Sequence, residues 1–344
     1  MIYVVPIEPI DARYTKQWYF NIPQKLQELG AEVITIDGKV ENNKTTPGAF
    51  LDFCRTNAYK SEQIVEIATL FENGNVKAGD KFLVTDAWNY AIIAIRYMST
   101  LMNIPVEIHG IWHAGSYDRT DILGMKMDLN WSISFERSLF EACDWNYFGT
   151  HFHRDMFIAN VGITNRHRAI VSGQPHELLL QQLNKVEKVL KEDIVIWPHR
   201  ASEDKNYDIA KILQKRYSNF IITQEFDPPL TKEEYYKKMS QCRVIFSCAL
   251  HENLGISVME GTMLGCIPVV PNSSSYREMY LDCFKYSAEW IKPGRVQIDK
   301  ITNFIITTLE NYNMLDESLK RQQETLKNKY LNGNVMYDKL MGVE

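Results

Sequence analysis

No apolar run in the 344-residue chain approaches the roughly 20 residues that a membrane-spanning helix needs, so an integral helical membrane protein is excluded. The six cysteines, Cys54, Cys143, Cys242, Cys248, Cys266 and Cys283, form no Cys-x-x-Cys pair. That spacing argues against a thiolate zinc site or a disulfide scaffold and suits reduced, buried thiols. No Asp-x-Asp motif occurs, so the chain offers no ready carboxylate pair for a metal ion. Positive charge is not in excess either: 38 Lys and Arg against 43 Asp and Glu give a formal net charge of −5. Such a balance argues against wrapping duplex nucleic acid electrostatically, although a local basic patch can hide within it. There is no internal repeat and no low-complexity tract.

The start of the chain, "MIYVVPIEPID", has no basic leader and is interrupted by Pro6 and Glu8, so it reads as a first strand. A cytoplasmic protein is expected, and the two sequons at Asn43 and Asn272 are then chance matches. Hydrophobic content of 45% with 24% charged residues is that of a soluble globular chain. The length suits two domains.

What is present is an alternation of apolar strand-like runs and helical patterns. The runs are "IYVVPI", "AEVITID", "DKFLVTDAW", "IPVEIHGIW" and "DWNYFGTHF", then "DIVIWPHR", "NFIITQE", "RVIFSCA" and "CIPVVPN". This βαβα order predicts an α/β class with two Rossmann-like parallel-sheet domains facing a cleft. The segment 165–177, "NRHRAIVSGQPHE", carries Gly173 and Pro175 and reads as the linker. The expected domains are 1–170, for an acceptor, and 171–314, for a donor, with a C-terminal helical region at about 315–344 packing back on the first.

In open parallel sheets ligands bind outside the carboxyl ends of the strands. In "WPHRASEDKN", Arg200 and Lys205 stand five apart at a strand-to-helix turn, a spacing from which both reach one bound anion such as a diphosphate. Taken alone, the pair is better explained as a surface arginine and a helix-start lysine paired with Glu203 or Asp204. In "RVIFSCALHENLGISVMEG" a strand leads through a short polar turn into a helix starting near Gly255, with Glu252 before it and Glu260 inside it. The helix start aims N–H groups at oxygens of a ligand, and the two carboxylates accept from hydroxyls. Each carboxylate taken singly also fits ordinary stabilisation of a helix N-terminus.

The "ENLGISVME" pattern, Glu-x7-Glu with an internal glycine, preceded by "HRASEDK", resembles the retaining nucleotide-sugar glycosyltransferases of the GT-B fold. The order of "EPIDARYTKQW", "IHG", "GTHFHRDMF", "WPHRASEDKN" and "ALHENLGISVMEGTMLGCIPVVPNSSSYREM" resembles the tRNA-queuosine mannosyltransferase group and related phage enzymes that place sugars on modified bases. The resemblance spans residues 1 to about 280 and is most specific in the second half. It implies that Arg200 and Lys205 hold the donor diphosphate and that Glu260 holds the ribose hydroxyls. Glu252 and the amides around Asn253, Leu254, Gly255 and Ile256 would hold the donor sugar. His109 would stand at a strand end near the reacting sugar; without the rest of the pattern it reads as a satisfied core histidine. His113, a second histidine in that turn, is expected on the acceptor side, although it is not part of the general pattern.

The family often has a Gly-rich turn after its first strand, where this chain has "EPIDARYTKQW". Arg13, Tyr14, Thr15, Lys16 and Trp18 interleave cations, a hydroxyl and aromatic rings, as a surface that stacks a base and touches backbone phosphate would. A helix start with Trp18 in the core explains them equally well. The resemblance implies a glycosyltransferase that moves a hexose or pentose from a nucleotide-sugar, UDP-linked, with retention. The acceptor would be a hydroxyl of a modified base in nucleic acid, with 5-hydroxymethylcytosine in phage DNA preferred. Neither metal nor cofactor is expected, since Arg, Lys and a helix terminus take the metal's place. The alternatives are queuosine in tRNA, a small molecule or glycan as acceptor, or a catalytically silent nucleotide-sugar binding protein.

Overall fold

Successive residues of the strand runs are apolar on both sides of the chain, as a sheet covered on both faces requires. In "IYVV", Tyr3 and Val5 enter one hydrophobic cluster while Ile2 and Val4 enter another on the opposite face. The same division separates Ile194 and Ile196 from Val195 and Trp197 in the second half of the chain. The computed structural model describes residues 1–10, 14–39, 46, 51–187 and 189–343. It divides into unit 1, Met1–Leu178 with Asn332–Glu344, and unit 2, Leu179–Leu331.

Unit 1 holds β1 (Ile2–Val5), β2 (Val33–Thr35), β3 (Lys81–Val84), β4 (Glu107–Ile111), β5 (Trp145–Phe148) and β6 (Ala169–Val171). All are parallel, in the order β2-β1-β3-β4-β5-β6. Unit 2 holds β7 (Glu192–Trp197), β8 (Phe220–Ile222), β9 (Cys242–Phe246), β10 (Ile267–Pro271) and β11 (Lys285–Tyr286), parallel in the order β11-β10-β9-β7-β8. The order reverses between β1 and β3 in unit 1 and between β7 and β9 in unit 2. These are the switch points at whose carboxyl ends a crevice opens.

Two expectations are corrected. The segment read as a linker contains β6, which pairs with β5 through Asn146 and Ala169, and the chain leaves unit 1 only at Leu178. A three-residue strand is too short to show a period, and Gly173 and Pro175 beside it read as punctuation. The C-terminal helices also part company. The helix Asp316–Lys329 stays in unit 2, where Leu326 and Leu319 enter the two clusters and Gln322 donates to the Met279 carbonyl at 2.8 Å. Only the helix Asn334–Met341 returns to unit 1.

That last helix buries Met336, Tyr337 and Leu340 against Ile2, Val4, Trp18, Ile111 and Tyr147. Lys81 Nζ donates to the Leu340 carbonyl at 2.8 Å, which places a cation at the negative end of the helix. Lys339 lies 3.8 Å above the Trp145 ring. Leu340→Ala should cost about 3 kcal/mol of unit 1 stability through lost burial and a residual cavity. Urea unfolding followed by tryptophan fluorescence checks this; a loss below about 1 kcal/mol would mean that the helix contributes no core.

Candidate functional site

In unit 2, β7 ends at Trp197 and the chain turns through Pro198, His199 and Arg200 into the short turn Glu203–Lys205. Asn206 adopts left-handed backbone at φ 53 and donates to the Cys248 carbonyl at 2.8 Å, which ties this turn to the end of β9. His199 and Ser247 follow the two strands that flank the switch point, and His199 Nε2 lies 2.9 Å from Ser247 Oγ. The crevice of unit 2 is therefore lined by the turns that carry the predicted donor residues.

Lys205 Nζ reaches Glu252 Oε1 at 2.7 Å, the His251 carbonyl at 3.0 Å and Asp204 Oδ2 at 3.2 Å. Arg200 Nη2 meets the same Asp204 oxygen at 3.2 Å, and its Nε donates to Ser202 Oγ at 3.2 Å. Both predicted cations thus converge on one oxygen, as an anion between them would require, and Asp204 fills that place. Burial works against the charge on Glu252, but Lys205 and then His199 outweigh it and hold the carboxyl below its ordinary range. Burial also opposes the Lys205 charge, and Glu252 and Asp204 overcome it and hold the ammonium above its usual value. Burial lowers His199 to about 4, so the ring is neutral at pH 7.

The helix Ile256–Met263 begins at Gly255, whose φ of 72 is left-handed. A Cβ there would stand 2.7 Å from the Tyr276 ring, so both conformation and space demand glycine. No side chain of Gly255 caps the helix, and the first helical bond is donated by Val258 N to the Gly255 carbonyl. The N–H groups of Ile256 and Ser257 precede that bond, at the positive end of the helix. Leu254 is buried in the core behind the turn, and Asn253 Oδ1 lies 3.1 Å from His251 Nε2. The Glu252 carbonyl accepts from Ser275 N at 3.2 Å, which fixes the turn to the "NSSS" loop after β10. Glu260 is buried one turn into the helix and accepts from Lys232 at 2.7 Å, Tyr236 at 2.9 Å and Tyr235 at 3.3 Å.

The structure brings Arg200, Lys205, Glu252 and the Gly255 turn together and sets Glu260 on the same helix. It adds His199, Ser247, Lys232 and Tyr235, none of which the sequence singled out, and it realises the pairing of Arg200 and Lys205 with Asp204 that the ordinary surface reading expected. His199 and Asp204 lie inside the quoted "WPHRASEDKN" and were legible by position. Lys232 and Tyr235 come from the helix Lys232–Gln241, which has no local link to Glu260.

Unit 1 departs further from expectation. His109 is the third residue of β4, 0% exposed, with Nδ1 2.8 Å from Tyr147 Oη and Nε2 3.6 Å from Glu107 Oε1. Burial lowers its pKa. It is a core histidine, not a strand-end group, because period-two alternation turns it into the face covered by the last helix. His113 is the second residue past the carboxyl end of β4. Its Nε2 lies 2.7 Å from the Thr85 carbonyl and its Nδ1 2.9 Å from Tyr14 Oη. A carbonyl only accepts, so Nε2 carries the proton and Nδ1 of the neutral ring accepts from the Tyr14 hydroxyl.

Arg13 lies outside the described residues. In the helix Tyr14–Glu28, Trp18 is 2% exposed and packs with Ile22 and Leu26, while its indole N–H donates to His176 Nδ1 at 3.3 Å. Thr15 is buried and its Oγ1 accepts from Ile10 N at 3.1 Å. Lys16 is exposed. The expected stacking surface is corrected accordingly: helical periodicity turns Trp18 inward, and no base can stack on it. At the unit 1 switch point, Lys60 and Asp86 form a buried pair at 2.8 Å, and Thr56 donates to Glu8 Oε2 at 2.6 Å. Among the described residues, no group of three or more His, Cys, Asp or Glu could hold a metal ion, and no helix is long and apolar enough to cross a membrane.

No family model matches the chain. The tRNA-queuosine alpha-mannosyltransferase of Drosophila melanogaster is 30% identical over 113 residues, a match covering 25% of this chain and 30% of that protein. Solved structures match over the whole chain. Sucrose-phosphate synthase from Thermosynechococcus elongatus is 11% identical with a TM-score of 0.65, covering 100% of this chain and 99% of that one. The catalytic domain of starch synthase IV from Arabidopsis thaliana, bound to ADP and acarbose, is 10% identical with a TM-score of 0.63, covering 99% and 98%. Anabaena HepE in complex with UDP is 14% identical with a TM-score of 0.58, covering 99% and 98%. The chain has the GT-B fold of these glycosyltransferases.

Proposed function

We propose that the protein is a glycosyltransferase that moves a sugar from a UDP-linked donor to a hydroxyl of a modified base in nucleic acid. The observation that carries the donor half is the meeting of Arg200 and Lys205 on one oxygen position at the unit 2 switch point, beside the Gly255 helix start. A diphosphate arriving there replaces Asp204 as the shared acceptor and is met by N–H groups of the helix. Glu252 accepts from sugar hydroxyls and Glu260 from the ribose. UDP as the nucleotide is supported by the HepE structure, which contains it.

For the acceptor, the partial match to a tRNA-queuosine mannosyltransferase favours a modified nucleoside over a glycan. Both 5-hydroxymethylcytosine in DNA and queuosine in tRNA present a hydroxyl carried on a base; the first is preferred on the resemblance of the N-terminal segment to phage enzymes, and the second is supported by the partial match. The base-stacking role expected of Trp18 is not part of this reading. Retention is proposed with no protein nucleophile: the acceptor hydroxyl attacks C1 from the face that the phosphate leaves, the C1–O bond to the diphosphate breaks, and the departing phosphate takes the hydroxyl proton. The protein supplies position and charge, and Arg200 and Lys205 take the place of a metal. Incubation with a panel of nucleotide sugars and with hydroxymethylcytosine DNA, unmodified DNA and tRNA, followed by mass analysis of digested nucleosides, tests this; transfer to none of the nucleic acids would remove the acceptor assignment.

Three outcomes are expected of the donor site. Arg200→Ala and Lys205→Ala each lower kcat by about 100-fold, because each removes a donor aimed at charge on the leaving group. Arg200 is 37% exposed and its loss leaves stability nearly intact, whereas Lys205→Ala also costs roughly 3 kcal/mol by stranding the Glu252 charge. Steady-state kinetics with matched thermal melts check both, and near-native turnover would place the diphosphate elsewhere. Activity survives EDTA; complete loss restored by manganese or magnesium would refute the metal-free mechanism.

The third outcome concerns pH. The unfolded chain protonates His199 near its ordinary pKa of about 6.5, while the folded protein resists until about 4. Its contribution to stability is full above the upper value and falls as pH drops through this window. Glu252 and Asp204, held low, add a loss of the same sign at lower pH. Calorimetric melting midpoints should therefore decline from pH 7 to 4, and His199→Gln should flatten the upper part of that decline. An unchanged slope would show that His199 is not buried neutral.

A further inference from the structure

Glu260 presents two oxygens with two lone-pair positions each, so it can accept four hydrogen bonds. They are unequally used. Oε1 accepts from Lys232 Nζ at 2.7 Å and from Tyr236 Oη at 2.9 Å, which fills it. Oε2 accepts one long bond, from Tyr235 Oη at 3.3 Å. A carboxylate in this state cannot receive two further hydroxyls symmetrically.

Lys232 is fixed where it stands. It is the first residue of the helix Lys232–Gln241, whose start is locked by a reciprocal capping box between Thr231 and Glu234. Its ammonium lies 4.6 Å from the Tyr236 ring centroid and 5.2 Å from that of Tyr235, so two aromatic faces and a carboxylate surround it. The Glu260 side chain is 5% exposed and that of Lys232 is 49% exposed, so the pair lies at a boundary that a ligand can reach. Lys232 also balances the charge of Glu260, which would otherwise repel a diphosphate in the same crevice.

We propose that Lys232 is a specificity-determining residue of the nucleoside subsite: together with Tyr236 it saturates Oε1 of Glu260 and leaves Oε2 to accept from a single ribose hydroxyl. The proposal rests on the assignment of Glu260 to the donor ribose. The site then distinguishes the 2′ from the 3′ hydroxyl, which a carboxylate open at both oxygens would not.

Isothermal titration of wild type, Lys232→Met, Lys232→Arg and Glu260→Ala with UDP, 2′-deoxy-UDP and 3′-deoxy-UDP tests it, with thermal melts to confirm folding. In wild type one analogue should bind about tenfold more weakly than UDP and the other within about twofold, since a hydrogen bond to a charged acceptor is at stake. Lys232→Met opens a position on Oε1, and both analogues should then be penalised by about tenfold relative to UDP. Lys232→Arg should keep the one-sided pattern. Equal penalties in wild type, or a one-sided pattern that persists in Lys232→Met, would overturn the proposal. A folded Glu260→Ala protein that binds all three ligands as wild type does, or a wild type that binds no UDP, would overturn the donor-site reading and the proposal with it.

Discussion

The pair between Lys205 and Glu252, 2.7 Å apart at the carboxyl edge of the unit 2 sheet, is the contact on which the rest of the site hangs. Two charges at so sheltered a position are tolerated only when each neutralises the other and the remaining hydrogen-bonding capacity is met. Lys205 meets this by adding the His251 carbonyl and Asp204, while the His199 ring covers Glu252 with Nδ1 3.7 Å from Oε1, beyond hydrogen-bond distance. The pair joins the turn after β7 to the turn after β9. In doing so it places Asp204 beneath Arg200 and sets the chain up to enter its helix at Gly255.

The set of charges is balanced, with Arg200 and Lys205 against Asp204 and Glu252. On the proposed donor reading, such a site is organised before its ligand arrives, and the diphosphate exchanges places with Asp204. Interactions arranged in advance cost little reorganisation when charge develops, which is the advantage that fixed donors have over water. Lys232, from the helix Lys232–Gln241, and Glu260, from the helix that starts at Gly255, form a second ammonium–carboxylate pair in unit 2.

Unit 1 uses a comparable device differently. Lys60 and Asp86 form a buried pair near the switch point between β1 and β3, and His113 lies against the Thr85 carbonyl beside them. His113 and Tyr14 border this edge and pack on the buried Trp18 ring, while His109 bonds to Tyr147 in the layer under the last helix. Both reassignments have one cause: side chains follow the period of their element, and a ligand-like residue type does not change the face on which it falls.

The sequence alone determined the α/β class, nine of the strands, and the grouping of Arg200, Lys205, Glu252 and Gly255 around strand-to-helix turns. These are local properties: apolar periodicity, glycine at a strand-to-helix turn, and motif residues that stay close because few residues separate them. Tertiary structure decided what depends on distant partners. The three residues of β6 become a strand only because β5 offers an edge, and the last helix joins unit 1 because the sheet face near Ile2 and Tyr147 needs cover. The union of Glu260 with Lys232, 28 residues away, and of Lys205 with Glu252, across two strands, arises from parallel-sheet order, which no local pattern encodes.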